Sequence, residues 1–420
     1  MPALTVPHRR LALSTRTAMP LRAAAALLVG ALAHPAIAGE IEVEPLIDAR
    51  LQLETLDVDS LPETSEALTF RIRTGAEATS GRWTARFEGQ ANIAIVDNYT
   101  DGLDGVTDRP IIADPENLAV YQAYLGYEAP GLAAKVGRQE ISLDDERFIG
   151  TAPIRQNAQN FDAVRMVWTG LEGLRVDASY AWSFRPFWGR DGFGSRPESV
   201  GGDNLFINVA AETDIGTITG FAYIVDLDNE NAQSFRLSSQ TYGVRLDGKQ
   251  QVAENLALSY LASFARQSDS GRNPNDYTAD FLVVEANAHT GRWKLGTGLE
   301  ILGADDGVAF ASFQRPLNTG LKFLGLAGRF LPTPPDGLRD YYATADYAPG
   351  RVGALDEVTL KAGFHHFTSD RDLRVYGNEI DLLASARIAG TDLALRYADY
   401  RSSGFSADTQ RFMVQLAWVY

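Results

Sequence analysis

The sequence predicts an all-β protein, a transmembrane antiparallel up-and-down β-barrel of about 18 strands, with 16 strands as the alternative. Two observations predict this fold. Segments of roughly ten residues alternate apolar and polar side chains, and the joints between them are alternately short and long. Outer-membrane barrels have this layout because their periplasmic turns are short and their extracellular loops are long.

The joints can be assigned directly from the sequence. The short ones are Ser80-Gly81, Ala129-Pro130-Gly131, 169–173, 213–216, Thr290-Gly291 and Ala389-Gly390. The long ones are 97–117, 143–160, 185–203, 305–337 and 369–378. A soluble β-sandwich has no reason to place every short turn at one end, so the pattern favours a membrane barrel.

The first 38 residues have the pattern of a secretory signal peptide rather than of a folded segment. Four arginines precede or border an apolar stretch at 23–33, and Ala36-Ile37-Ala38 has the small-x-small pattern of a cleavage site. The apolar stretch is shorter than the ~20 residues that a membrane helix needs. We therefore expect the mature chain to start at Gly39 and to form a single barrel domain over residues 39–420.

Net charge and cysteine content exclude several classes of function. The formal charge of −16 argues against nucleic acid as a partner. Without cysteine there can be no disulfide, no thiolate nucleophile and no cysteine-ligated metal. A closed ladder of backbone hydrogen bonds must therefore hold the exported chain together. Aspartates crowd the expected outer loops, either as solvated charges or as ligands for divalent cations beside lipopolysaccharide.

The segment 82–97 shows the strand pattern most clearly. Its apolar face carries Trp83, Ala85, Phe87, Gly89, Ala91, Ile93 and Ile95, and its polar face carries Arg82, Thr84, Arg86, Glu88, Gln90 and Asn92. Period two with one apolar and one polar face predicts a strand between lipid and water. The segment 173–187 repeats the pattern, with Trp182 and Phe184 expected outward and Ser183 and Arg185 inward.

The last strand ends as outer-membrane barrels typically end. Phe412, Val414, Leu416, Trp418 and Tyr420 share one face, and the chain stops on an aromatic residue. We expect the barrel assembly machinery to recognise this strand. The aromatic residues at strand ends are expected to contact lipid and lipopolysaccharide at the interface of a Gram-negative outer membrane.

The connection 305–337 is unusually apolar for an extracellular loop. It carries Phe310, Phe313, Phe323 and Phe330 and a proline cluster at 332–335. Because such a loop is unlikely to be fully solvated, the sequence predicts that it packs into the lumen or the barrel mouth.

The strand pattern also predicts a charged, water-filled lumen. Inward bases are expected at Arg71, Arg73, Arg82, Arg86, Arg165, Arg175, Arg245, Lys294, Lys361, Arg387, Arg396 and Arg411. Inward acids are expected at Glu77, Glu88, Asp177, Glu212, Glu285, Glu300 and Asp381, with Glu42, Glu44 and Asp48 near the entrance. Either the arginines set ion selectivity, or they pair with carboxylates and brace the wall; alternation does not choose between the two.

Four elements between Gly137 and Met166 occur in a distinctive order. They are Gly137-Arg138-Gln139-Glu140, Asp144-Asp145-Glu146-Arg147, Arg155-Gln156-Asn157 and Phe161-Asp162-Ala163-Val164-Arg165. This stretch resembles the alginate export family of outer-membrane β-barrels. The resemblance implies an 18-stranded barrel whose constriction attracts a uronate polymer. Its candidate constriction residues are Arg138, Arg147, Arg155 and Arg165, with Asp144, Asp145, Glu146 and Asp162 as acidic counterparts.

The expected function is that of a channel. The first hypothesis is passive diffusion of an anionic polysaccharide or oligosaccharide such as alginate, and the alternative is a general or nutrient-specific porin for small solutes. A barrel enzyme acting on lipid would need a serine–histidine pair, yet adjacent His365 and His366 must point to opposite faces of a strand. We expect no catalytic residue, cofactor or metal site.

Overall fold

The structure, a computed structural model, describes residues 40–228, 230, 232–308 and 311–419. The expected signal peptide, the expected first mature residue Gly39 and the terminal Tyr420 lie outside the described residues. From Glu40 onward the described chain forms one closed antiparallel barrel of 18 strands. The prediction of 18 strands is confirmed, and the alternative of 16 is wrong.

Each strand pairs with its neighbours in the sequence, and β1 pairs with β18 to close the barrel. The strands are β1 (Glu42–Val58), β2 (Ser65–Ser80), β3 (Trp83–Asn98), β4 (Asn117–Ala129), β5 (Leu132–Gln139), β6 (Asn160–Leu171), β7 (Leu174–Arg185), β8 (Val200–Thr213), β9 (Gly216–Val225), β10 (Ser239–Ala253), β11 (Leu256–Asp269), β12 (Thr278–Thr290), β13 (Trp293–Leu302), β14 (Leu338–Val352), β15 (Leu355–Thr368), β16 (Val375–Ile388), β17 (Thr391–Ser402) and β18 (Thr409–Val419). Closure leaves no unpaired sheet edge, which a strand crossing lipid requires. Short 3-10 turns occur at Ser234–Leu237 and Gly320–Lys322. No helix among the described residues is long and apolar enough to cross a membrane.

Short and long connections occupy opposite ends of the barrel, as predicted. Every second joint is a two-residue turn, including two that the sequence reading missed, at 254–255 and 353–354. The opposite end carries nine loops, named here L1 (59–64), L2 (99–116), L3 (140–159), L4 (186–199), L5 (226–238), L6 (270–277), L7 (303–337), L8 (369–374) and L9 (403–408).

The predicted faces of β3 are confirmed by the exposure of its side chains. Phe87 is 60% exposed, whereas its neighbour Glu88 is 3% exposed. Near the two-residue turns, the ring pairs Trp83–Tyr127 and Trp293–Tyr347 lie 4.9 and 4.6 Å apart on the outer face. Aromatic residues at this level form the belt expected where a barrel meets the membrane interface.

One predicted face is wrong, on β7. A β-bulge between Ala181 and Ser183 shifts the register, so that Ser183 lies opposite Asp162 and Phe184 lies opposite Phe161. Phe184 is therefore buried inside the barrel instead of facing lipid, and Ser183, which was predicted to point inward, shares the outer face of Asp162. The extra residue of a bulge reverses the alternation beyond it, which a strict period of two cannot anticipate.

L3 and L7 fold into the barrel and are fixed there by aromatic side chains. Phe148 of L3 has its ring 5.0 Å from Phe281 and 5.9 Å from Phe313 of L7. Phe330 of L7 packs on Phe367 at 4.4 Å. Phe313 and Phe330 are almost fully buried, which agrees with the predicted inward packing of this loop. Phe310 lies outside the described residues.

Candidate functional site: the lumen between loops L3 and L7

L3 crosses the interior of the barrel. Its side chains reach inward-facing residues on strands from all around the wall, which a loop outside the lumen could not do. These wall residues are Glu54 on β1, Thr69 on β2, Gln90 on β3, Asn208 on β8, Arg245 on β10, Glu285 on β12 and Glu300 on β13.

Arg147 of L3 is the centre of a buried ion network. Its guanidinium donates to Asp145, Glu285 and Glu300, the last at 3.0 Å, and lies 4.2 Å from the ring centre of Phe323. Glu300 also accepts a hydrogen bond from Arg315 of L7 at 2.6 Å. The network therefore joins L3, L7 and the wall. Charges buried this completely need partners because desolvation is costly.

The acidic residues before Arg147 have separate partners. Asp144 accepts hydrogen bonds from Asn208 and Tyr223, and burial raises the pKa of its carboxyl group. Burial opposes ionisation of Asp145 too, but Arg147 and Arg245 outweigh it and lower the pKa of that carboxyl. Glu146 pairs with Lys322 of L7 at 3.2 Å. Asp144, Asp145 and Glu146 thus fasten L3 instead of facing open water.

Arg155 lies in a second buried network, on the opposite side of L3. Its guanidinium contacts Glu54 at 3.1 Å and Asp114 of L2 at 3.3 Å. Asp114 also accepts a hydrogen bond from the main-chain N–H of Gln156 at 2.6 Å. The Arg-Gln-Asn element therefore links L2 and L3 to β1.

Arg165 faces the lumen but is paired. It donates two hydrogen bonds to Asp177, at 3.0 and 2.7 Å, and Arg175 shares the same carboxylate at 2.9 Å. This fork geometry braces β6 against β7.

Arg138 and Asp162 lie on the outer face of the barrel, which corrects the expectation that they line the constriction. In the strand register Arg138 lies opposite Ala123 on one neighbouring strand and opposite Asp162 on the other. Ala123 is two residues from exposed Leu125 on the same strand and therefore shares its outer face. The two side chains form a bidentate pair at 2.8 and 3.1 Å. Directly paired residues share a face, so this pair cannot reach the lumen. The eight predicted residues therefore form several separate contacts and not one constriction site.

The sequence predicted Arg71, Arg73 and Asp48 to face the lumen but did not identify Arg50, which completes a cluster of bases on β1 and β2. Arg50 and Arg71 are direct register partners, and Arg73 lies opposite Asp48. The Asp48 carboxylate forms ion pairs with Arg71 and Arg73. Arg71 binds Asp48 at 2.5 Å, and the Arg73 contact is longer, at 3.7 Å. Among the described residues Arg50 makes no ion pair and donates to the carbonyl oxygens of Pro153 and Arg155. Alternation of Asp48, Arg50 and Gln52 along β1 was the signal that could have identified it.

These bases also have unused donors. The Nε atoms of Arg50 and Arg71 are buried without a hydrogen-bond partner among the described residues. Two further lumen bases, Lys361 on β15 and Arg396 on β17, form no ion pair within the described part of the chain, although Arg396 donates to Gln415 at 3.3 Å. The wall from β15 through β18 to β2 therefore carries three bases without an ion pair among the described residues, alongside the buried carboxylates of Glu54, Glu379 and Asp381.

Two cavities lie along the interior. The lower one, of about 550 Å³, is lined by the middle of L7 and by wall residues of both charges, the bases Lys294, Lys361 and Arg396 and the carboxylates Glu285, Asp340 and Asp381. The upper one, of about 260 Å³, is surrounded by L3, L4, L5 and L7. Ile154, Thr319 and Leu321 line both cavities. In the described part of the chain no cluster of three or more histidine or carboxylate side chains is placed to hold a metal ion.

Comparison with known proteins identifies the family. The alginate export family model matches residues 48–299, which is more than half of the chain. The chain belongs to the alginate export family. This membership confirms the predicted outer-membrane channel and its place in the Gram-negative outer membrane, and it argues against an enzyme. No curated protein sequence matches the chain.

Solved porin structures share the fold of this family member at low sequence identity. Pseudomonas aeruginosa OpdQ is 14% identical with a TM-score of 0.65, covering 90% of this chain and 99% of its own. P. aeruginosa OccK9 (OpdG) is 14% identical with a TM-score of 0.67, and the match covers 90% of this chain and 98% of OccK9. P. aeruginosa OpdK, solved with vanillate, is 14% identical with a TM-score of 0.65, also covering 90% and 98%.

Proposed function

We propose that this channel passes small carboxylate-bearing solutes, including uronates, by passive diffusion along the basic side of its lumen. The observation that carries the proposal is the group of Arg50, Arg71 and Arg73 around a single carboxylate, Asp48. An excess of fixed positive charge in a narrow, partly desolvated passage attracts anions and repels cations.

The geometry of the arginines suits transit. A guanidinium presents several donors in one plane and can bind a carboxylate through two of them. The charge of this group is only partly neutralised, because Asp48 is its one ion-pair partner among the described residues and the buried Nε atoms of Arg50 and Arg71 have no hydrogen-bond partner there. Lys361 and Arg396 add further contacts at the lower cavity. Several weak sites in series allow entry and release, whereas one tight site would block conduction.

The two loops that fold into the barrel favour small solutes over a long polymer. L3 and L7 are hydrogen-bonded to one another inside the barrel: Gly150 N–H donates to the Leu317 carbonyl at 3.0 Å, and Thr319 N–H donates to the Glu146 carbonyl at 3.2 Å. Family membership supports a uronate as cargo, and the vanillate-bound OpdK structure offers a fold relative with a small carboxylate. Both are compatible with a monomeric or short oligomeric anion.

The test is planar-bilayer recording of the refolded mature protein under a salt gradient. We expect a reversal potential that shows anion preference, and we expect Arg50→Gln and Arg71→Gln to reduce it. Arg138→Gln is the matched control, because it removes an arginine from the outer face. If Arg50→Gln and Arg71→Gln both keep the wild-type reversal potential, as the control should, the basic cluster does not set selectivity.

A second recording separates small solutes from polymer. Adding glucuronate should reduce the salt current by competing for the arginines, while long polyuronate should have a weaker effect at equal carboxylate concentration. Strong block by polyuronate without block by glucuronate would overturn the small-solute proposal in favour of polysaccharide passage.

We also propose that the barrel assembly machinery recognises β18. Phe412, Val414, Leu416 and Trp418 share its outer face, which supports this role. Replacing Trp418 with Ser should slow the appearance of folded barrel in outer-membrane fractions, while Trp188→Ser in L4 should not.

A further inference from the structure

The two cavities of the lumen are separated by a thin partition of three residues. Ile154 of L3 and Thr319 and Leu321 of L7 line both the upper and the lower cavity. A solute moving from one cavity to the other must pass these side chains. Their chemistry therefore decides what crosses.

The polar groups of the partition are already used in holding the two loops together. The hydroxyl oxygen of Thr319 accepts the main-chain N–H of Thr151 at 3.1 Å. The side chain of Gln159 donates to the carbonyl oxygens of Gly150 and Leu317, at 2.9 and 2.8 Å. Because Thr319 and the neighbouring Gln159 are bonded to the main chain of the two loops, Ile154 and Leu321 are the apolar part of the partition.

The backbone on both sides of Ile154 is held in place. Arg50 donates to the carbonyl oxygens of the two residues that flank it, Pro153 at 2.7 Å and Arg155 at 3.3 Å. Leu321 is 5% exposed and lies close to Gly328, where an added Cβ would be 2.6 Å from its Cδ2. The hydrogen bonds from Arg50 thus hold the backbone at Ile154, and the packing against Gly328 holds the side chain of Leu321.

The upper cavity continues the apolar character toward the outside. Phe187 of L4, Leu237 of L5 and Leu331 of L7 converge on it from three different loops, together with Pro316 and Pro332, and the rest of its lining includes Gln159, Gln314, Asn318 and the paired Arg155 and Arg315. Leu237 and Leu331 are large apolar residues that stay exposed although they sit at a water-filled mouth. Exposed apolar residues that meet in one cavity mark a binding surface for an apolar group.

We propose that Ile154 and Leu321 form an apolar gate that admits carboxylates carrying an apolar ring in preference to small hydrated ions and to heavily hydroxylated acids. A narrow apolar constriction expels water and so opposes the passage of an ion with its hydration shell. An apolar ring loses little hydration there, and its carboxylate can then bind Lys361 or Arg396, which line the lower cavity. The inference rests on the proposed function and narrows it: among the small carboxylates that the lumen passes, acids with an apolar ring cross faster than hydroxylated acids such as uronates.

The first test compares two substitutions of Ile154 by single-channel recording in potassium chloride. Ile154→Asn has a polar side chain of similar size, and Ile154→Ala has a smaller but apolar one. An apolar gate predicts that Asn raises the conductance several-fold while Ala raises it less. If Ala opens the channel and Asn leaves it unchanged, the restriction is steric and the gate is wrong.

Val106→Asn is the matched control, because Val106 is an exposed apolar residue of L2 that lines neither cavity, so this variant should leave the potassium chloride conductance unchanged. Folding of each variant is checked by the shift in electrophoretic mobility between unheated and heated samples. Should Ile154→Asn fail to fold, the milder Ile154→Thr replaces it with the same expected direction.

The second test uses two acids with the same ring and charge in a liposome uptake assay. Cyclohexanecarboxylate should enter faster than quinate, its tetrahydroxylated counterpart, and Ile154→Asn should narrow that ratio. Equal rates in the wild type would overturn the gate while leaving anion preference, and with it the proposed function, intact. Loss of anion preference in the salt-gradient recording would instead overturn the proposed function.

Discussion

Arg50 donates a hydrogen bond to the carbonyl oxygen of Pro153 at 2.7 Å, which joins the charged wall of the barrel to the loop that crosses its lumen. The same guanidinium reaches the Arg155 carbonyl at 3.3 Å and lies beside Arg71, its register partner. One side chain therefore contributes positive charge to the passage and holds the backbone on both sides of Ile154.

Arg50→Lys should separate these two roles. Lysine keeps the positive charge, but its single ammonium group cannot reproduce the planar donor geometry that holds two carbonyl oxygens. We expect anion preference to stay near the wild-type value while the potassium chloride conductance rises, because Ile154 is held less firmly. Both are read from one bilayer experiment. An unchanged conductance would mean that Arg50 does not position L3.

Arg147→Ala should release L3 from the wall. It leaves Glu285 without its arginine and Glu300 with Arg315 alone, and removing one partner from a buried ion pair costs about 3–5 kcal/mol. Limited proteolysis should then cleave within 140–159 in the variant and spare the wild type. Arg190→Ala is the control, because its exposed contact with Asp191 at 3.8 Å contributes little. Equal resistance of both variants would show that the network is not what holds the loop.

Phe148→Ala should remove the aromatic anchor of L3. Its ring contacts Phe281 at 5.0 Å and Phe313 at 5.9 Å, so the truncation leaves a cavity between L3, L7 and the wall. Truncations of this kind cost about 3–5 kcal/mol. Thermal unfolding followed by circular dichroism should show a lower midpoint. Phe193→Ala, whose ring is 64% exposed in L4, should leave the midpoint within experimental error.

Gly150→Ala should separate L3 from L7. A Cβ at this position would lie 1.9 Å from the Thr319 hydroxyl oxygen and 3.0 Å from its Cβ, so one loop must move. We expect larger conductance fluctuations in bilayer recordings as the contact between the loops opens. Gly220→Ala is the control, since nothing lies within 4 Å of its added Cβ. Quiet, wild-type currents from Gly150→Ala would show that the loops adapt without opening the passage.

Much of the fold could be predicted because each barrel strand depends mainly on residues that are close together in the sequence. The alternation along 82–97 is set by residues two apart, and turns such as Ser80-Gly81 are set by the conformations that their own residues allow. Strand number, the division into turns and loops, the outer aromatic residues and the inward packing of L7 all followed from such patterns. The face of Phe184 did not, because a bulge at Trp182 reverses the alternation.

The candidate site was less accessible from the sequence. The motif around Arg138 and Arg147 identified the family, but the same motif placed Arg138 in the lumen, whereas the register places it outside with Asp162. Near a strand end, polar residues occur on both faces, since both meet water or lipid headgroups. Arg50 was missed because its role depends on contacts with Pro153 and Arg155, which are distant in the sequence.

The sequence by itself determined the barrel fold, the placement of short turns and long loops at opposite ends, and the family. These features depend on neighbouring residues and on a recognisable motif. Only the tertiary structure decided which arginines are neutralised, which are left with free donors, and where the lumen narrows. Those outcomes depend on side chains that are distant in the sequence, such as Arg50 and Pro153 or Ile154 and Leu321. Charge pairing and pore width are properties of distances across the closed barrel, and those distances exist only after L3 and L7 have folded into it.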